Sequence, residues 1–321
     1  MNENATASTL RRHEKYDRLI AAAKGKEAVA TAVAHPCDET SLRGAIEAGE
    51  AGLIKPILVG PKSKIAAVAR EFSLDLGNIE IVDVPHSRAA AEKAVELVRT
   101  GKADLLMKGS LHTDELLSAV MNRETGLRTG RRVSHVFVMD VPGHAQTLFI
   151  TDAAVNIAPD LVSKRDIVQN AIDLYTGLGL GTPKVAILSA VETVTPTIPS
   201  TIEAAALCKM ADRGQITGGE LDGPLAFDNA ISPEAARIKG IKSAVAGQAQ
   251  ILVVPDLEAG NMLAKNLTFL SHADAAGIVL GAKVPIILTS RADEEMARLA
   301  SCAVAQLLVA ARRADTSAAI N

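Results

Sequence analysis

Lysine, glycine and hydroxyl residues gather where one apolar run ends, at Leu105-Leu106-Met107-Lys108-Gly109-Ser110-Leu111-His112-Thr113. A lysine at such a point meets an anion as a point charge, a glycine lets backbone approach a ligand, and the hydroxyls of Ser110 and Thr113 add donors. His112 is the histidine best placed for substrate contact, with a capping or turn role equally open. The same letters also describe a strand-to-helix turn with a Ser or Thr cap. A second apolar run ends in Leu288-Thr289-Ser290-Arg291. Arg291 could hold a phosphate bidentately or neutralise an oxyanion, and Ser290 could donate a hydrogen bond to a reacting carbonyl. Taken alone, Ser-Arg is as well explained by a helix cap beside a solvated arginine. Carboxylates also stand at turn-rich segments, 218–228 and 254–261, the latter holding Asp256 and Asn261. Such carboxylates can hold a metal or orient a base, but ordinary turn chemistry is the default reading.

The elements that must position these residues follow from periodicity. Short β-branched runs at 28–34, 56–59, 79–82 and 104–107 read as strands, and the stretches 40–51, 63–71 and 87–99 as crossover helices. Repeated units of this length imply a parallel sheet wound right-handedly with helices on both faces. Further strands are expected at 133–139, 147–151, 184–189, 250–254 and 284–289, and helices at 163–174, 200–211, 260–271 and 293–312. The segment 214–228, with four glycines and a proline, reads as a loop too rich in Gly for a regular element.

Composition supports this class. The chain has 321 residues, 48% of them apolar, which is enough for two domains. With no Trp, two Tyr and five Phe, the core must be aliphatic, as under parallel sheets covered by Ala-rich helices. A formal charge of −3, mixed along the length, offers no basic face for nucleic acid and no polybasic segment for a membrane. No apolar run approaches the ~20 residues that span a bilayer, and the polar start is unlike a secretory signal, so the cytoplasm is the expected location. Three isolated cysteines, Cys37, Cys208 and Cys302, suggest neither disulfides nor a thiolate metal site, and packing is their expected role. Cys37, between His35 and Asp38, is the one to test for reactivity. His-Glu-x-x-His, Walker and Gly-x-Ser-x-Gly motifs are missing, so no metal site is expected.

Five ordered motifs together resemble the phosphate acetyl/butyryl transferase family over nearly the full length. They are Met107-Lys108-Gly109-Ser110-Leu111-His112-Thr113, Gly126-Leu127-Arg128-Thr129-Gly130, Leu221-Asp222-Gly223-Pro224-Leu225, Pro255-Asp256-Leu257-Glu258-Ala259-Gly260-Asn261 and Leu288-Thr289-Ser290-Arg291. The details are similar to the butyryl-like half, and to the transferase domain that follows enoyl-CoA hydratase domains in bifunctional forms. The resemblance implies two doubly wound α/β domains with a cleft between them, similar in fold to isocitrate and isopropylmalate dehydrogenases. Domain I would comprise 1–147 and 282–321, and domain II 148–281, with a homodimer built mainly through domain II. The implied reaction exchanges an acetyl, butyryl or other short acyl group between coenzyme A and phosphate. Coenzyme A would be a substrate, with no tightly bound cofactor.

The resemblance assigns Ser290 to the tetrahedral intermediate and Arg291 to the phosphate or thioester. The acetyltransferase branch also uses an Asp shortly after Ser-Arg as base for the coenzyme A thiol. An ungapped match puts Ala297 there, leaving Asp293, Glu294 or Glu295, of which Asp293 is the first candidate. Lys108, Gly109, Ser110, His112, Thr113, Arg128, Arg132, Asp256 and Asn261 are expected substrate contacts, with Arg131 a further candidate. One rival is a non-catalytic acyl-CoA-binding regulatory module like that of large malic enzymes, against which the intact Ser290-Arg291 argues. The other is a nicotinamide-dependent decarboxylating dehydrogenase, whose metal-binding Asp set and Arg cluster this sequence lacks.

Overall fold

A computed structural model describes residues 13–289 and 294–318. The first half alternates strands and helices: α1 (Glu14–Lys24), β1 (Val29–Ala34), α2 (Glu39–Glu50), β2 (Ile54–Gly60), α3 (Lys62–Glu71), β3 (Glu80–Asp83), α4 (Ser87–Arg99), β4 (Leu105–Lys108) and α5 (Thr113–Val120). Next come β5 (Ser134–Asp140), β6 (Leu148–Thr151), α6 (Leu161–Gly177), β7 (Lys184–Leu188), α7 (Pro199–Asp212) and β8 (Glu220–Leu225). The chain continues through α8 (Phe227–Ile231), α9 (Pro233–Ile238), β9 (Ile251–Val253), α10 (Leu257–Leu270), β10 (Asp274–Leu280), β11 (Ile286–Ile287) and α11 (Glu295–Ala318). Local chemistry sets several starts. Asp38, Asp160 and Asp256 each accept a backbone N–H of their helix's first turn at 2.8 to 2.9 Å, satisfying donors that the helix cannot.

The described strands form one sheet of eleven, in the order β3-β2-β1-β4-β11-β10-β5-β6-β9-β7-β8. β1 to β4 and β11 are parallel, as the crossover units require. β10 is antiparallel to both β11 and β5, and β5 is antiparallel to β6, so β6, β9, β7 and β8 point opposite to the first set. Two doubly wound halves of reversed polarity are thus joined by β10 and β5 into a mixed α/β sheet.

One face is covered by α1, α2, α3, α6, α7 and α11 over a single apolar layer that includes Tyr16, Leu42, Ile65, Val168, Ala204 and Ala303. The other face carries two separate cores, one under α4 and α5, the other under α8, α9 and α10. The last helix packs on α1, α2 and β11 of the first half and on the joining strand β10, and also touches α6 of the second half.

One expectation needs correction. The segment 214–228 contains a strand, β8, because an edge position needs ladder bonds on one side only and tolerates Pro224. Gly223 serves close packing there, since a Cβ would lie 2.7 Å from the Ile187 carbonyl oxygen. The polar start, to which no element was assigned, forms α1, which buries Tyr16, Leu19, Ile20 and Ala23 at helical spacing. β10 was unassigned, since its Ala- and Gly-rich sequence carries little strand propensity and is held by pairing with β5 and β11.

Candidate active site

The turn after β4 is built against the turn after β1. Ala34 is in register with Lys108, so both strands leave the sheet at one edge. Gly109 and Ser110 donate their N–H groups to the carbonyls of Ala34 and His35, each at 2.9 Å. A Cβ on Gly109 would collide with Ala34 O and lie 2.5 Å from His35 O, so only glycine permits this approach. Ser110 Oγ lies 2.8 Å from His35 O, 2.9 Å from His35 Nδ1 and 3.3 Å from Cys37 N. His35 holds a left-handed backbone at φ 56°. Lys108 Nζ donates to Gly109 O at 3.2 Å. His112 stands at the head of α5, exposed and making no capping bond, and Thr113 opens the helix, half-buried.

The chain also leaves β11 at this edge. Ile287 pairs with Met107, and Thr289 follows beside the Lys108 turn. Ser290, Arg291 and Asp293 come next and lie outside the described residues. Ala297 is buried within α11 and has no acid to offer, while Glu294 and Glu295 are exposed.

Arg128, Arg132, Asp256 and Asn261 gather elsewhere. α5 carries the chain back across the sheet, so Arg128 bridges Ala282 ahead of β11, at the opposite end from Thr289. There Arg132 Nε donates to Asn156 Oδ1 at 2.8 Å, and its backbone N–H to Asp166. Asp152, beside them, is buried and accepts the N–H groups of Ala154, Val155 and Asn156. Burial raises its pKa, and these bonds oppose the rise. Asp256 caps α10, and Asn261 Nδ2 donates to Ala153 O at 3.3 Å. Arg131 pairs with Asp173 on α6. The structure therefore brings Lys108, Gly109, Ser110, His112 and Thr113 together at one edge and these other residues at the other.

The cysteines bear on reactivity. Burial pushes the Cys37 thiol up to about 11 and those of Cys208 and Cys302 up to about 12, which leaves them protonated near neutrality. Among the described residues no group of three or more His, Cys, Asp or Glu side chains converges to hold a metal ion, and no helix is long and apolar enough to cross a membrane. His35 is the neighbour that sequence reasoning passed over. Its one signal was a histidine just past the first strand, at the sheet edge where parallel-sheet ligands collect.

Residues 86–306 match the family described as "Phosphate acetyl/butaryl transferase". The chain belongs to the phosphate acetyl/butyryl transferase family, a family of acyltransferases. It is 75% identical over 306 residues to the phosphate acetyltransferase of Rhizobium meliloti, covering 95% of this chain and 97% of that one. It is 43% identical to the phosphate butyryltransferase of Clostridium acetobutylicum, covering 92% and 98%. Among solved structures, a branched-chain phosphotransacylase from Enterococcus faecalis superposes with a TM-score of 0.76 at 32% identity, covering 88% and 99%. A 4-hydroxythreonine-4-phosphate dehydrogenase from Burkholderia phymatum shares the fold alone, at TM-score 0.54 and 14% identity over 88% and 98%. The Lys108 turn puts a lysine at the edge of the sheet where β11 also ends.

Proposed function

We propose that this phosphate acyltransferase exchanges an acetyl group between coenzyme A and inorganic phosphate. The observation that carries the acyl choice is the much higher full-length identity to a phosphate acetyltransferase than to a phosphate butyryltransferase. The thiol sulfur attacks the carbonyl carbon of acetyl phosphate, a tetrahedral oxyanion forms, and the bond to the phosphate oxygen breaks. Ser290 and Arg291 steady that oxyanion and the departing phosphate, and the Lys108–Thr113 turn holds the phosphate end. Asp293 is the nearest candidate acid along the chain. Arg128, Arg132, Asp256 and Asn261, at the far edge, are not needed for the chemical step. Coenzyme A comes and goes as a substrate.

Residues 1–147 with 282–321 form one domain and 148–281 the other. The chain works in the cytoplasm as a homodimer through α10, on which Met262, Phe269 and Leu270 are 65 to 74% exposed.

Following thioester absorbance with acetyl phosphate and butyryl phosphate tests the reading. Acetyl phosphate should give the higher kcat/KM, and a preference for butyryl phosphate would overturn the acyl choice. Ser290→Ala and Arg291→Ala should each lower turnover by about two to three orders of magnitude. Unchanged rates in both would remove the site.

A further inference from the structure

A cavity of about 510 Å³ lies at the edge of the sheet opposite the Lys108 turn. It is built by two neighbouring strands and the last helix. Leu106 N–H donates to Pro285 O at 3.4 Å, which sets Asp104, just before β4, beside Lys283, Val284 and Pro285, just before β11. On α11, Val309, Arg312 and Arg313 stand at three- and four-residue spacing and so share one face. The lining therefore has an apolar part, Val284, Pro285 and Val309, and a charged part in which three cations meet one carboxylate.

Each charge has a definite setting. Asp104 Oδ2 accepts from Arg313 at 2.6 Å, so that carboxylate is already neutralised and Oδ1 remains to accept a hydroxyl. Arg313 also lies 4.0 Å from Glu27, which Lys55 holds more closely, at 3.0 Å. Arg312 is exposed and within electrostatic reach of Arg131 and Asp173, which pair with each other. Lys283 is exposed, its backbone N–H is fixed to Leu127 O at 2.9 Å, and its side chain pairs with no carboxylate among the described residues. Three cations against one carboxylate leave this lining two charges positive, in a chain whose formal charge is −3. Single exposed cations are ordinary solvated surface, but cations converging on a concave, partly apolar wall attract an anion that also has an apolar part.

We propose that this cavity binds a nucleoside diphosphate, with the phosphates between Lys283 and Arg312, a ribose hydroxyl on Asp104 Oδ1 and the base against Val284, Pro285 and Val309. The volume falls within the range of small-molecule sites. The two cations serve a diphosphate differently: the guanidinium fork grips two oxygens, and the ammonium acts as a point charge. The cavity is separate from the Lys108 turn, since Asp104 and Lys108 stand at opposite ends of β4, about 13 Å apart at the rise of a strand. Neither Lys283 nor Arg312 takes part in the acyl exchange proposed above, so occupancy here is independent of that reading.

Calorimetric titration of the whole chain with ADP, adenosine and pyrophosphate tests the site. Wild type should bind ADP, with pyrophosphate at least tenfold weaker and adenosine without measurable heat. Lys283→Gln and Arg312→Gln should each raise the Kd for ADP by about tenfold. Both side chains are exposed, so the thermal midpoint should stay at the wild-type value, as should the KM for coenzyme A and the turnover of acetyl phosphate. The proposal is overturned if wild type binds no ADP, or if neither substitution weakens ADP, which would put the nucleotide elsewhere. It is also overturned if the substitutions raise the KM for coenzyme A in parallel, which would make the cavity part of the substrate's own contacts. Pyrophosphate binding as tightly as ADP would leave a polyphosphate site with no place for a nucleoside. A wild type that binds ADP and makes no thioester sinks the exchange reading and leaves this one standing.

Discussion

At the scale of single residues, Gly109 and His135 carry the sharpest consequences. Gly109→Ala would drive a methyl group into the backbone carbonyls of Ala34 and His35, which cannot rotate away. Overpacking of this kind costs about 1–3 kcal/mol, and it displaces Ser110 from His35. Thermal unfolding should register the loss of stability, and acetyl phosphate turnover should drop further than stability explains. His135 is 1% exposed, packs edge-on to Phe137 and has no hydrogen-bond partner for Nδ1 among the described residues. Burial pushes its pKa down to about 3, so the folded protein holds it neutral. Below about 6.5 the unfolded chain binds a proton there and the folded one does not. Stability is therefore full above that value and declines as pH falls toward about 3, at roughly 1.4 kcal/mol per unit. Urea unfolding at neutral and mildly acidic pH should show that slope, and His135→Gln should flatten it. The Lys108 turn was legible because lysine, glycine and serine stand together in sequence. His35 was not, since its contact with Ser110 joins residues 75 positions apart.

At the scale of elements, α1 is fastened by its one aromatic side chain. The Tyr16 hydroxyl donates to Val138 O at 2.5 Å and accepts from Ala276 N–H at 2.7 Å, a register pair of β5 and β10. Lys15 to Asp140 and His13 to Asp274, both at 2.5 Å, bind the same helix to the same two strands. Tyr16→Phe leaves a buried donor and acceptor without the hydroxyl, at a cost of about 1–3 kcal/mol. The denaturation midpoint should fall, and an unchanged midpoint would show that the hydroxyl is dispensable. Crossover helices such as α4 were legible to the residue because their apolar spacing is regular. β8 and β10 were hidden because neighbours, rather than propensity, hold Gly, Pro and Ala in extended form.

At the scale of the whole molecule, α10 offers the test of assembly. Phe269→Asp places a charge among exposed apolar side chains, and sedimentation should show monomers where wild type gives dimers. A wild-type monomer would remove the dimer. The reversed polarity of the two halves was not legible: strand runs in a sequence carry no direction of pairing, and only β5 and β10 create the reversal. Those joining strands also sit above an apolar layer that both halves share on one face and that is divided on the other. The molecule is bound like a book, with α1 and α11 along the spine and α5 and α10 on separate covers. Amide exchange should accordingly be slowest along β5, β10 and α11.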